Sequence, residues 1–445
     1  MSFTIRGGLV PEPGTWRLRQ RDVVVDDDGV IDAVQDAYGT SDDRERAGDI
    51  TAEGMLVVPG FVDTHRHTWQ TAMRGLAFGW DLRRYQTEFQ MTTAPAFTPE
   101  DVYIGTLLGA LTALDSGITT LRDESHVQNS WAHTEAAVAA LRESGIRACF
   151  GYGWPSSEAY MKNSGLPHPA DMERARGELL AGDDGLVTMY AHLRGPGMSG
   201  PDTYKADLAR ARALGLRASI HAGSAPRSAG QNGDVGWMHG EGLLGDDITL
   251  VHCGRCTPEE YRMMADTRTH VSVTAALEQA MPGLGAPAYA DMRLAGLLPS
   301  LGIDVEVAAS GNMFDVMRAV AATHQLRVSL DPRFAEKHAF PSAAELLTAA
   351  TAAGANACGL GRRAGTVEEG KDADLVLVNL EAVNTFSDGR QLETVVAHGH
   401  PGNVDTVLVR GQVRKRHGRL VDVDPGKLHQ LLRGSWDRHP ATTGS

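Results

Sequence analysis

Phe61-Val-Asp-Thr-His-Arg-His67 is a short apolar run that ends in two histidines, and the change of texture around it decides the fold. From Val57 to about residue 360, β-branched runs alternate with stretches of Ala, Leu, Arg and Glu at helical period. Ile118 to Leu121 precedes Trp131 to Ser144, Leu186 to Tyr190 precedes Thr203 to Leu214, and Ile248 to Val251 precedes Pro258 to Asp266. Strands followed by crossover helices imply a parallel sheet. Several such units over this length predict an α/β chain built on a (β/α)8 TIM-like barrel.

Outward from that core the period changes to two. Arg17 to Val25 and Val30 to Val34 alternate apolar and polar residues on either side of Asp26-Asp-Asp-Gly29, a hairpin turn. Beyond Gly361, Ala373 to Asn379 and Asp405 to Arg414 do the same, with Gly411 as turn former. Neither end has enough apolar surface to stand alone, so both are expected to pack as one composite β-sandwich beside the barrel. The expected division is residues 1–55 and 361–445 in the sandwich and 56–360 in the barrel. The tail after Trp436 is expected to fray.

Composition narrows the class of function. With 42% hydrophobic residues and 22% charged ones in 445, the chain can bury a large core and is neither disordered nor fibrous. Lys and Arg number 42 against 56 Asp and Glu, a net −14, the wrong sign for a protein whose partner is nucleic acid. No run of about 18 apolar residues is present, so no membrane span is expected. Four cysteines (Cys149, Cys253, Cys256 and Cys358) make no disulfide framework at this length, and Met1 to Gly14 lacks the layout of a secretory signal. A reducing, cytoplasmic setting is expected, with a small molecule as the partner and a homo-oligomer open.

The chemistry starts at His65 and His67. Residues i and i+2 of a strand point the same way, so both imidazoles can reach one ion. Such a pair is weak by itself. It is strengthened by His221 after Ala218-Ser-Ile, His252 after Leu250-Val and Asp304 after Leu301-Gly-Ile, each at the end of a short β run. Barrel active sites gather at the C-terminal ends of the strands, where all five residues fall.

Together with Val58-Pro-Gly-Phe-Val-Asp-Thr-His-Arg-His67 and the closing Gly365-Thr-Val-Glu-Glu-Gly-Lys-Asp-Ala-Asp-Leu-Val-Leu377, these residues make the chain resemble the amidohydrolase superfamily. It is similar to the branch holding cytosine and guanine deaminases and the s-triazine and urea-herbicide hydrolases. The resemblance covers nearly the whole chain. It implies a metal-dependent barrel with one divalent ion, zinc first and iron or manganese as alternatives, held by His65, His67, His221 and Asp304, with His252 facing substrate. A bound ion with an open position brings its water's pKa toward about 7. Asp304 then accepts the water's proton and His252 steadies the developing charge. The expected activity is hydrolysis of a non-peptide C–N bond in a small amide, urea, carbamate or N-heterocycle. Deamination or dechlorination of a heteroaromatic ring is the alternative, and an inactive metal-binding barrel a further one.

One departure stands out. Many deaminases of this branch carry a glutamate three residues after the third histidine, and here that position is Ser224. A hydroxyl cannot store a proton near neutral pH. The substitute acid is expected to be Glu278, after His270-Val-Ser-Val, in preference to Glu306, which shares a strand face with Asp304 if the strand continues. Glu306, Ser224, Trp69, Gln70 and His126 are the expected substrate contacts; Trp80, Tyr85 and Trp154 could also stack on a planar ring. Asp315 reads as a surface or capping residue. Cys253-Gly-Arg-Cys256 has metal-ligand spacing without a second pair and reads as structural. No phosphate-binding Gly-x-x-x-x-Gly-Lys-Ser/Thr occurs.

Overall fold

The computed structural model describes residues 2–37, 48–162, 165–224 and 233–439. Five strands come first: β1 (Phe3–Pro11), β2 (Leu18–Val25), β3 (Ile31–Asp36), β4 (Ile50–Thr51) and β5 (Met55–Pro59). Eight more form the barrel: β6 (Phe61–Arg66), β7 (Ile118–Ser125), β8 (Arg147–Tyr152), β9 (Val187–His192), β10 (Ala218–Ala222), β11 (Ile248–His252), β12 (His270–Val273) and β13 (Ser300–Leu301). Each pairs in parallel with the next in chain order. Parallel strands covered by helices are buried on both faces, and β6, β7 and β8 are buried at every residue.

Closure falls to the shortest strand. Past β13, the amides of Ile303 and Asp304 donate to the carbonyl of His65 at 3.1 and 2.8 Å, and the His67 amide donates to the Asp304 carbonyl at 2.9 Å. Gly302 makes this approach possible: a Cβ there would lie 2.9 Å from the Cβ of His65. The seam thus brings Asp304 beside both histidines of β6.

The remaining strands are β14 (Leu375–Asn379), β15 (Val404–Val409), β16 (Gln412–Arg416) and β17 (Arg419–Leu420). They join β1 to β5 in one mixed sheet, ordered β17-β16-β15-β14-β5-β1-β2-β3 with β4 on β1. The sheet curls round: Ile31 and Lys371 exchange a backbone hydrogen bond of 2.8 Å, and Val30 bridges Asp372. Ile5, Val23, Ile31, Val57, Leu375 and Leu408 fill its interior. Both termini therefore build one small β unit. Within this sheet β5 pairs antiparallel with β14 from Met55 to Pro59.

The C-terminal segment is more than sheet. A helix over Pro425–Arg438 docks on the barrel helix Pro99–Asp115, where Arg438 reaches the buried Asp101 and His439 Nε2 lies 2.9 Å from Asp101 Oδ2. Order beyond Trp436 thus runs to His439, against the expected fraying, because Asp101 holds it; residues 440–445 lie outside the described ones. Arg147, buried at the foot of β8, joins barrel to sheet through Asp374 (2.6 Å) and Asp372 (2.7 Å). No helix among the described residues is long and apolar enough to cross a membrane.

Candidate active site

The strand ends converge as parallel register requires. His65 Nε2 lies 3.2 Å from Asp304 Oδ1 and 3.3 Å from His221 Nε2, and His67 Nε2 lies 3.4 Å from the same Asp304 oxygen. The far side of each ring is already engaged. His67 Nδ1 is 2.7 Å from the Glu124 carbonyl, and His65 Nδ1 is 3.0 Å from Glu124 Oε2. With Nδ1 donating to the Glu124 carbonyl, His67 Nε2 keeps a lone pair aimed at the cluster, the tautomer a metal ligand needs. Donor atoms of His65, His67, Glu124 and His221 all lie within 4.8 Å of one another, as do those of His65, His252 and Asp304. Two imidazole Nε2 atoms facing at 3.3 Å beside a carboxylate are what a divalent cation satisfies.

Electrostatics agree. Burial resists a charge on His65, yet Glu124 and Asp304 outweigh it and push its pKa up to about 10. Burial, then the charge on His65, takes His67 down to about 4. Burial raises the Asp304 carboxyl, but His65 and His252 overcome that and bring it to about 2. Glu124 is likewise held well below the usual range, burial being overcome by His192 and His65. The site keeps two carboxylates ionised and a positive charge between them.

Residues 56–414 match the Amidohydrolase family. The chain belongs to that family. A 5-methylthioadenosine/S-adenosylhomocysteine deaminase of Natronomonas pharaonis is 30% identical over 453 residues, covering 99% of this chain and 97% of that protein. Among solved structures, an adenosine deaminase from Xanthomonas campestris with bound zinc superposes at TM-score 0.83, with 24% identity over 98% of each chain. An atrazine chlorohydrolase from Arthrobacter aurescens complexed with zinc gives 0.82, with 21% identity over 97% of this chain and 99% of that one. This amidohydrolase is a metal-dependent hydrolase of C–N bonds.

Around the amidohydrolase donors the backbone is unusual. His252, Cys253 and Asp304 have φ of +69°, +56° and +71°, a region that non-glycine residues hold only where their surroundings enforce it. His252 Nδ1 lies 3.0 Å from Thr274 Oγ1 and 3.2 Å from Glu278 Oε1, and its Nε2 lies 3.5 Å from Asp304 Oδ2. Glu278, on the short helix Ala275–Ala280, also accepts from the Thr274 amide. Its carboxylate stands behind His252 and does not line the cleft.

That cleft, about 130 Å³, opens above the donors. His67, His126, His221, His252, Ser224 and Asp304 form its polar floor and side; Leu82, Tyr85, Trp154, Met161, Met198, Leu277 and Met281 are among its other walls, with Gln86 and Gln90. Of the expected substrate contacts, His126 and Ser224 are present. Glu306 is not: the chain turns after Asp304 instead of continuing extended, and Glu306 pairs with Arg66 and Arg74. Trp69 is fully buried, stacked on Phe89, and Gln70 sits behind Tyr85 as its hydrogen-bond acceptor. Asp315 pairs with Asn312 and Arg318 at the start of the helix Met313–Leu330. All four cysteines are unpaired.

Two residues escaped the sequence reading. Glu124 near the end of β7 and His192 at the end of β9 face each other, with His192 Nδ1 3.0 Å from Glu124 Oε2. His192 carries the strand-end signal that singled out His221 and His252.

Proposed function

We propose that this amidohydrolase removes an exocyclic amine from a small, uncharged N-heteroaromatic ring, with one divalent ion, zinc, held by His65, His67, His221 and Asp304. The observation that carries this is the cleft lining: among the described residues no Lys, Arg or Glu faces it, and Asp304 is its one carboxylate. A phosphate or carboxylate substrate would find no Lys or Arg counter-charge among the described residues there. Trp154 stacks on His126 at 5.3 Å between ring centroids, a wall suited to a flat ring. At about 130 Å³ the cavity is well below the roughly 300–1,000 Å³ of drug-sized ligand sites, which favours a single substituted ring over a nucleoside. Zinc is favoured by the three-imidazole, one-carboxylate set and by the zinc in the two structural relatives.

When bound, the ion supplies a water acidic enough to ionise near neutral pH and polarises the group under attack. The rest falls to the chain. Asp304 takes a proton from the attacking water as its oxygen bonds the ring carbon. His252, 3.5 Å from Asp304, hydrogen-bonds the developing charge and passes that proton to the amine as the C–N bond breaks. Glu278 positions His252 and fixes its tautomer, in place of the leaving-group role read from sequence. A second reading, displacement of chloride from an activated ring, is favoured by Ser224, since chloride leaves without a proton.

The test is a panel of cytosine, adenine, guanine, melamine, atrazine and 5-methylthioadenosine, assayed for ammonia and chloride with the zinc-loaded protein. Ammonia from a free heterocycle is expected. Chloride alone would select the second reading, and a clear preference for 5-methylthioadenosine, or no turnover of any ring in the panel, would overturn both.

A further inference from the structure

We infer that Gln90 is the specificity residue of the cleft, its amide oxygen accepting a hydrogen bond from an N–H or NH2 group of the bound ring. The inference rests on the reading of the cleft as a site for a heteroaromatic ring. Its basis is local: Tyr85–Thr93 is a π-helix. The wider turn, hydrogen-bonded from i to i+5, brings Tyr85 and Gln90 onto one face, where both line the cleft.

The direction of the hydrogen bonds then follows along a chain. Gln70 is buried in the turn Thr68–Met73, and its Oε1 accepts the Tyr85 hydroxyl proton at 2.8 Å. Tyr85 therefore has no hydrogen left for Gln90 and accepts one from Gln90 Nε2, at 3.0 Å. The same Nε2 lies 3.3 Å from His126 Nε2. Both amide hydrogens of Gln90 are thus engaged, and among the described residues its Oε1 meets no protein donor. What the side chain offers the cleft is a lone pair.

A glutamine pinned at both hydrogens is preorganised: little rotamer entropy remains to be lost when a ligand N–H arrives. A ligand without that hydrogen leaves a desolvated acceptor unmet, at a cost of about tenfold in affinity. Tyr85 does not supply the preference, since its hydroxyl already donates to Gln70 and accepts from Gln90.

Melamine and 2,4,6-trimethyl-1,3,5-triazine have the same ring and nearly the same outline, but only the first carries N–H groups. Their dissociation constants with the zinc-loaded protein are measured by calorimetry in the cold. The wild type should prefer melamine by about tenfold. Gln90→Met, which keeps the length and loses both polar ends, should bring the two ligands within about twofold, with zinc content and melting temperature unchanged. Gln90→Glu, which keeps an acceptor, should retain the preference for melamine. Equal binding of both ligands by the wild type overturns the role of Gln90, as does discrimination that survives in Gln90→Met. Preference for the trimethyl ring means the amide presents its nitrogen, and also overturns it. Failure of both ligands to bind the wild type, by contrast, refutes the heteroaromatic reading of the cleft on which this inference stands.

Discussion

Replacing Glu278 by Gln tests whether a carboxylate that never meets substrate sets the rate. His252 Nδ1 has two neighbours, Thr274 Oγ1 at 3.0 Å and Glu278 Oε1 at 3.2 Å, and all three side chains are buried. Glu278 alone among them offers a charged acceptor. A hydrogen bond to a charged group contributes about 1.5–3 kcal/mol and a neutral one about half that. In Glu278→Gln the ring keeps its Thr274 partner, so the loss is the difference, about 0.8–1.5 kcal/mol. That is roughly 4- to 13-fold in turnover, since 1.36 kcal/mol is tenfold. The charge matters most when His252 carries a proton between Asp304 and the leaving amine, so the fall belongs in kcat and not in KM. The assay is steady-state kinetics on the best substrate of the panel, with zinc per chain measured on the same samples. An unchanged kcat, or a loss explained by a higher KM or missing zinc, would refute the positioning role.

His67→Ala should leave the fold intact and lower bound zinc from about one per chain to a small fraction, measured by elemental analysis after dialysis; full occupancy would end the ligand assignment. In the ion-free protein His65 holds a proton up to about pH 10, whereas a ligand imidazole must be neutral, so zinc binding at pH 7 should release about one proton. Calorimetry in buffers of different ionisation enthalpy counts it, and none released would contradict the placement of His65. Ser224→Glu puts a carboxylic acid in the cleft and should raise ammonia release from rings with a basic nitrogen by tenfold or more; a fall in rate with zinc retained would show that this wall cannot serve a proton shuttle. Asp101 is buried against Arg438 and His439, and despite burial those partners hold its pKa below the usual value. Its contribution is therefore complete above the unfolded pKa of about 3.9, declines below it and is lost only as pH falls through the lower folded value. Asp101→Asn should lower stability by about 1–3 kcal/mol at pH 7 and by somewhat less near pH 3, measured by urea unfolding; no loss at pH 7 would refute the ion-pair account.

How much of this was legible in the sequence depends on where a residue sits relative to a strand. His65, His67, His221, His252 and Asp304 could be picked out because parallel strands share one direction, so any ligand-type residue at a C-terminal end must approach the others. Glu124 obeys the same rule. It was hidden inside Arg122-Asp123-Glu124, which has the look of a solvated charge run, whereas β7 continues to Ser125 and carries all three into the interior. Glu306 failed for the opposite reason: alternation was extended past a residue with φ of +71°, where the strand has already ended. Glu278 is read at the barrel mouth with its direction open, since a six-residue helix can present a side chain to the cleft or to the back of His252, and here it faces His252.

Gln90 marks a different limit. At 3.6 residues per turn, position i+5 lies about 140° round the helix from i, so an α-helical reading of residues 85–93 pairs Tyr85 with Phe89 and sends Gln90 to another face. The π-helix undoes that separation and sets Gln90 beside Tyr85, while Phe89 stacks on both Tyr85 and Trp69. What selects the wider turn is tertiary: Tyr85 must reach Gln70 while Phe89 and Phe97 pack around Trp69. The residues proposed to hold the ion are thus placed by strand ends, a local and periodic feature. The residue assigned to reading the substrate depends on a helical register that only the packed wall behind it can impose.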